Sequence, residues 1–288
     1  MGYSAGGAKG VGSIDQAIQC VEREDDVLAT EVSAFKRFRT LVSRVDPEGP
    51  SPRQVGNAGP AFARATAPDQ ARDCGQSACS DVRKAYRQTV MATDHYEAEY
   101  GETYAESIEA EFGATFAAVL AGGGRFSADV KSQLITAITR GIEDRRATRS
   151  TLQRERTALE RAGTTLSALR DDLAAIGSRP FVECQYTELR AVREDLQAIE
   201  RQCERLVTER QTGDFHTAAI LLSRESGGSL SQFLYDSLEV TYPILHDAAS
   251  VGNRVADLRR RIDEQLARRP ASAGGPGSHK TEVAEHLY

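Results

Sequence analysis

Near the start of the chain, Ile14, Ile18, Val21, Leu28, Val32, Phe35, Val42 and Val45 recur at intervals of three, four or seven residues. That spacing puts them on one face of a helix and predicts an amphipathic helix over 13–45, with Asp25 and Arg39 interrupting the stripe. "SIDQ" opens it as a capping box, Ser13 as N-cap and Gln16 three residues on, and "DPEGPSP" closes it. Residues 1–12 read as a flexible N-terminus. Residues 46–68 carry Pro47, Pro50, Pro52, Pro60 and Pro68 among glycines and alanines, the composition of a mobile linker.

A second helix is expected over 69–121, irregular around Cys74 and Gly75 and stopped by Gly122-Gly123-Gly124. A third, with Ser127 as N-cap, runs to about Ile176, roughly 75 Å at the usual rise. Its heptad is the plainest pattern in the chain. Leu152, Leu159, Leu166 and Leu173 fall seven apart, and Ala162, Leu169 and Ile176 fill the alternate seam positions. The same register reaches back through Leu134, Ile138 and Gly141. "IGSRP" then offers Gly177 for a left-handed C-cap and Pro180 for the first turn of the next helix. That helix repeats the seam at Val182, Leu189, Val192, Leu196, Ile199, Cys203 and Leu206. Two heptad helices joined so tightly predict an antiparallel coiled-coil hairpin over 127–211. The i,i+4 pairs Arg156–Glu160, Arg190–Glu194 and Arg205–Glu209 add tenths of a kcal/mol each.

Beyond Gly213 the pattern loosens. A second capping box, Ser229 to Gln232, restarts a helix with Phe233, Leu234 and Leu238, and Pro243 should kink or divide it. Leu245, Ala248, Val255, Leu258, Ile262 and Leu266 predict a last amphipathic helix to about Arg269, and residues 269–288 read as a disordered tail. With no strand pattern, the fold class is all-α: an elongated helical bundle over 69–268 containing the long antiparallel hairpin.

Composition sharpens this picture. Of 288 residues, 6% are aromatic and none is tryptophan, while 40% are hydrophobic and 27% charged. That balance suits long amphipathic helices better than a large globular core. Lysine occurs only at Lys9, Lys36, Lys84, Lys131 and Lys280; with a net charge of −6, this fits a GC-rich, salt-adapted source. "MGYSAGGAKGVGS" lacks the apolar core of a secretory signal, and "FGATFAAVLAGGG" is shorter than the roughly 20 residues a bilayer requires. A soluble, cytoplasmic protein is expected.

The motifs that would carry chemistry fail one by one. Five cysteines include no CxxC pair; Cys184 and Cys203 fit a helical core, and Cys74 and Cys79, spaced C-x4-C, lack the second pair of a zinc site. No histidine has the Glu three positions earlier that a helix-bundle di-iron site requires; Ala92, Gly213, Pro243, Pro276 and Val283 stand there instead. His95 and Glu99 share a face, with Glu102 and Glu106 nearby, but no second histidine-bearing helix completes a ligand set. No G-x-S-x-G occurs, and "GGAKGVGS" at 6–13 lacks the strand and placed lysine of a phosphate loop. The basic run "LRRRIDEQLARR" at 258–269 has its own acidic partners and no interleaved aromatics, which disfavours nucleic acid.

One contrast remains. Residues 94–111 hold seven acids and no base, and residues 140–156 hold six arginines against three acids. If the second and third helices fold back at Gly123, residue 101 lies opposite about residue 145, so the two stretches are expected to pair. Tyr96, Tyr100 and Tyr104, spaced by four, should line that surface beside the guanidinium groups.

"VRKAYRQTVMATDHYEAEYGETYAESIEAEFG" at 82–113, "RERTALE" at 154–160, "ERQ" at 209–211 and "FLYDSLEVTYPIL" at 233–245 resemble an uncharacterised family of helical proteins from haloarchaea. The resemblance spans most of residues 13–268. It implies an all-helical, coiled-coil-bearing protein of a salt-rich cytoplasm and supplies no activity. The mild net charge departs from the strongly acidic norm of such organisms. The expectation is a non-enzymatic interaction or regulatory module, with no catalytic, cofactor or metal residues assigned. Its partner would be a protein, or a second copy meeting it through the helix stripes. A nucleic-acid-associated protein is the alternative, and a metal-binding bundle using Cys74/Cys79 or His95/Glu99 is the third.

Overall fold

A computed structural model describes residues 12–48, 70–121, 123–212 and 230–268, and for 70–77 and 230 the backbone alone. Nearly all of the expected N-terminal segment 1–12, most of the linker 46–68, Ser229 of the second capping box and the tail 269–288 lie outside these. Among the described residues the structure is all-helical, without strands, and no helix is long and apolar enough to cross a membrane.

Helix α1 (Ser13–Arg44) buries Ile14, Val21, Leu28, Val32, Phe35 and Val42 as its periodicity requires. The cap lies one residue earlier than expected. Gly12 is the N-cap and its carbonyl accepts from the Gln16 N–H at 3.1 Å, so Ser13 already lies within the helix.

The single helix expected over 69–121 is four: α2 (Gln70–Thr89), α3 (Tyr96–Glu99), α4 (Tyr104–Phe112) and α5 (Ala114–Leu120). Two glycines cause the later breaks. Gly101 has φ 55° and Gly113 has φ 90°, values that L residues with a Cβ rarely adopt. Between them Thr103 accepts from the Glu106 N–H at 3.4 Å, and the Glu106 carboxylate accepts from the Thr103 N–H at 2.9 Å. This is a capping box that starts α4 afresh. Gly113→Ala should therefore cost about 1–3 kcal/mol through backbone strain alone, since a Cβ there meets nothing within 4 Å. Gly252→Ala, also in open space but within a helix, should stabilise by up to about 1 kcal/mol. Chemical denaturation of both variants measures this; a harmless Gly113→Ala would remove the strained break.

Helix α6 (Ala128–Gly177) begins as expected, with the Val130 N–H donating to Ser127 Oγ at 3.3 Å. The chain divides into two compact units, and α6 contributes to the first up to Glu160 and to the second from Arg161. In the first unit, α1 packs on α2 and on the short α8 (Leu230–Tyr235), and α2 and α4 pack on α5. Its core joins Phe35 and Phe38 to Tyr86, Ile108, Leu120, Phe126, Leu134, Ile138 and Ile142. The rings of Phe38 and Tyr86 meet edge-on at 5.1 Å, and those of Tyr86 and Tyr104 at 5.7 Å. Tyr96 and Tyr100 keep ring contact at 5.6 Å, but the break at Gly101 sends Tyr104 into the core, so the expected three-ring stripe does not form. The Tyr235 hydroxyl donates to the fully buried Glu155 at 2.5 Å.

The second unit contains α7 (Tyr186–Thr212) packed on α9 (Pro243–Ala267). Pro243 stands in the first turn of α9, so it starts a helix and does not kink one. Arg193–Asp263 at 3.3 Å and Arg259–Glu200 at 3.0 Å run α7 and α9 antiparallel. Arg170–Asp247 at 2.8 Å, with Gly177 against Leu258, runs the end of α6 parallel to α9. Leu166, Leu169, Leu173, Leu189, Val192, Leu196, Val255, Leu258 and Ile262 are all buried. Three expectations at the turn fail. Gly177 ends α6 in helical conformation, outside the left-handed glycines, and a Cβ there would lie 3.2 Å from the movable Arg254 guanidinium. Pro180 belongs to a turn, not to the first turn of α7, since its carbonyl accepts from the Glu183 N–H at 2.9 Å. Val182 is 72% exposed while Phe181 turns inward beneath Arg261.

Candidate functional site

Glu31 stands three residues after Leu28 and four before Phe35, on the apolar face of α1, and is 6% exposed. A carboxylate placed there must be paired. Arg145 of α6 donates from Nε to Glu31 Oε2 at 2.7 Å and from both terminal nitrogens to Glu111 of α4, at 2.8 and 2.9 Å. Its guanidinium lies 4.1 Å from the centre of the Phe35 ring. One arginine thus ties three helices together. Burial alone would lower its pKa, but the hydrogen bonds to Glu111 and the charges of Glu111 and Glu31 outweigh that, and it is held above its ordinary range.

The other oxygen of Glu31 accepts from the Tyr100 hydroxyl at 2.8 Å, and His95 Nε2 lies 3.6 Å from it. Burial, then the charge of Glu31 and its hydrogen bond, push the Tyr100 hydroxyl well above the usual phenol range. Burial also raises Tyr86, whose hydroxyl shares a hydrogen bond with Ser107 Oγ at 2.8 Å. Tyr104, under Arg83 and Arg87 at 5.5 Å each, is pushed up to about 12, chiefly by burial. These phenols stay neutral at physiological pH.

The expected pairing of 94–111 with 140–156 is met at one point, and in another register. Arg145 bonds Glu111, not an acid beside residue 101, although Tyr100 shares Glu31 with it. The other acids facing that basic stretch come from α1: Asp25 chelates Arg149 at 2.8 and 2.9 Å, and Glu22 holds Arg156 at 3.0 Å. The order 22, 25, 31 against 156, 149, 145 makes α1 and α6 antiparallel. Fragmenting residues 69–121 removed the rung-by-rung hairpin on which the expected register depended.

Beside this network, Glu24 has its carboxyl raised by burial and by the charges of Glu99 and Glu31, against the lowering effect of His95. An acid raised in the folded state stabilises when protonated, and loses that stability as pH rises from the unfolded pKa through the folded one. Glu24→Gln should therefore raise Tm at pH near 7 and leave it unchanged near pH 3, where both states are protonated. Thermal unfolding at the two pH values measures this; equal gains at both would contradict it.

Phe35, Tyr86, Tyr96, Tyr100, Glu102 and Arg145 are among the residues lining a pocket of about 120 Å³ here. Tyr96 is 5% exposed, with its hydroxyl beside that of Ser107. Burial raises it most, a nearby Ser107 hydroxyl lowers it, and the charge of Glu102 raises it again. Ser107 itself is bonded to Tyr86.

The remaining sequence candidates sit apart. The Cys79 thiol is buried, raised by that burial, and donates to the carbonyls of Gly124 and Val119 at 3.4 and 3.7 Å; the Cys74 side chain lies outside the described residues. Burial likewise raises the Cys203 thiol within α7. Among the described residues no three His, Cys, Asp or Glu side chains group as a metal ion requires. In the basic run, Arg259 is held by Glu200, Arg260 by Asp257 at 3.4 Å, and Arg261 lies over Phe181.

The family described as a domain of unknown function, DUF7260, matches residues 12–259. The chain belongs to that family. No curated protein and no solved structure matches it. The family assignment spans both compact units and agrees with the resemblance to an uncharacterised family; it brings no activity with it. Sequence reasoning missed Glu31, although an acid between Leu28 and Phe35 on an apolar stripe is a legible signal. It also missed the Thr103–Glu106 capping box, written plainly as "TYAE".

Proposed function

We propose that the chain is a non-enzymatic protein-interaction or regulatory module of a haloarchaeal, salt-rich cytoplasm, built on a long antiparallel coiled-coil hairpin over 127–211. The observation that carries this reading is the engagement of its charged clusters by its own side chains. The arginines at 145, 149 and 156 are held by acids of α1 and α4, and those at 193 and 259 by acids within the second unit. Groups so engaged are poorly placed for proton transfer or phosphate contact. Support for the hairpin comes from the buried leucine seam and from α9, which runs parallel to the end of α6 and antiparallel to α7. Val182, Phe233 and Tyr242 are 72%, 64% and 53% exposed, apolar surface of the kind that binding partners cover.

The first test is sedimentation of the full chain in low and molar potassium chloride, alone and with duplex DNA. A protein-binding module gives no DNA complex at either salt and either remains a monomer awaiting its partner or forms a discrete oligomer that survives molar salt. Tight DNA binding that falls steeply with salt would replace this reading with the nucleic-acid alternative.

A further inference from the structure

We propose that the outer surface of α1 and α2 in the first unit docks an acidic, amphipathic segment of a protein partner. This rests on the reading of the chain as an interaction module and names the chemistry the module takes. Residues 32–45 of α1, 82–93 of α2 and 130–142 of α6 contain basic residues and no acid. The fold packs these stretches together, since Phe38 and Val42 share one core with Val82, Tyr86, Leu134 and Ile138. A chain of net charge −6 thus gathers positive charge in one place.

Lys36, Arg37 and Arg44 of α1 and Lys84 of α2 are exposed, and among the described residues none makes an ion pair or hydrogen bond. Arg39 donates only to the Thr139 hydroxyl, and Lys131 only to the carbonyls of Ser43 and Val45, so their charges are not neutralised either. Arg83 and Arg87 turn the other way, over Tyr104. Of the acids bordering this surface, Glu31, Glu48 and Asp144 are held by Arg145, Arg125 and Arg140. Asp46, Asp81, Asp129 and Glu143 remain. Six cations therefore stand against four acids, and the surface attracts anions.

The neighbouring groove says which anion fits. Between the end of α1 and α2, half-buried Leu41 and Val45 and buried Ala78 and Ala85 form a floor, with Arg44 and Lys84 exposed at its rim. Its volume, about 670 Å³, leaves room for several side chains where one water takes about 30 Å³. Asp46 and Asp81 also line it, so apolar contact, not charge, fills the groove itself. A helix with leucine-like residues on one face and carboxylates beside them meets both demands. Nucleic acid meets one: its phosphates bring no apolar side chains. The rings of this region, Phe35, Phe38 and Tyr86, are buried and give bases nothing to stack on.

Fluorescence anisotropy of the full chain at about 0.1 M potassium chloride, where the screening length is about 10 Å, tests this. The probe is a labelled peptide of leucine and glutamate with its leucines at helical spacing. The comparisons are the same peptide with glutamine for glutamate, poly-L-glutamate, and a DNA duplex. The expected result is one saturable site for the leucine–glutamate peptide, with each comparison at least about tenfold weaker, the scale of a few surface ion pairs. Reversing Lys36, Arg37, Arg44 and Lys84 to Glu should weaken the peptide by about tenfold or more, with melting near native because all four are exposed. Reversing the exposed Arg161, Arg179, Arg201 and Arg205 of the second unit changes net charge equally and should leave affinity within about twofold. Should the first variant unfold, Gln at the same four positions and the two peptides on the native chain still decide the matter. The proposal is overturned by the absence of saturable binding, by equal binding of the glutamine peptide or of poly-L-glutamate, or by equal losses in the two reversals. DNA bound as tightly through the same four residues would overturn it together with the interaction-module reading. Absent peptide binding beside intact protein crosslinks in the cell would remove this surface alone.

Discussion

Arg145→Leu should destabilise the first unit by about 3 kcal/mol, because it strands two carboxylates that fold around one guanidinium. Glu31 and Glu111 have side chains 8% and 23% exposed and Arg145 itself 18%, so water cannot replace what the arginine supplies. Arg146, adjacent in sequence and exposed, provides the control: Arg146→Leu should stay within about 0.5 kcal/mol of native. Adding Glu31→Gln and Glu111→Gln to Arg145→Leu should recover part of the loss, as coupled neighbours require. The deficit should persist in molar salt, since screening acts weakly on buried pairs. Denaturant titration followed by circular dichroism measures all four chains. An Arg145→Leu variant within about 1 kcal/mol of native would show that the network is incidental to the fold.

Leu166→Asp should abolish the second unit, with a loss above about 4 kcal/mol. Leu166 is fully buried in the seam of α6, and a lone carboxylate there would have to be desolvated or protonated. The milder Leu166→Ala should cost about 2–5 kcal/mol, the range for an emptied leucine site. Arg161→Asp, on the exposed face of the same helix, should change little. Amide exchange resolved by residue separates the units: protection over α7 and α9 should fall in Leu166→Asp. Unaltered protection there would remove the seam from the account of the fold.

The elements that were legible in the sequence are those whose pattern is both local and repeated. The leucines at 152, 159, 166 and 173 announce a buried seam because burial repeats every seven residues, and each is buried. Residues 69–121 misled for the opposite reason. Their apolar positions keep a helical period across the breaks, so periodicity averaged over Gly101 and Gly113 and concealed two residues with positive φ. The glycines and the capping box at Thr103 marked the breaks, but a single cap weighs little against a long period. Val182 matched the heptad by number and lies outside it in space, because the turn extends to Gln185 before α7 begins. The Arg145 centre was only half readable: its arginine and Glu111 lay in stretches singled out for charge, while Glu31 is 114 residues away along the chain. No spacing rule reaches that far; only the fold brings the three together.

The central claim, that this chain works by holding a partner, is tested most directly in the native host at its own salt. Full-length chain, and a Val182→Asp, Phe233→Asp, Tyr242→Asp variant with native melting, would be crosslinked in the cell and the captured proteins quantified by mass spectrometry. The account predicts a defined set of protein crosslinks, to another protein or to a second copy, that the triple variant loses by about tenfold or more, a change of about 1.4 kcal/mol. Capture that is identical for the two chains, or recovery of nucleic acid in place of protein, would contradict it.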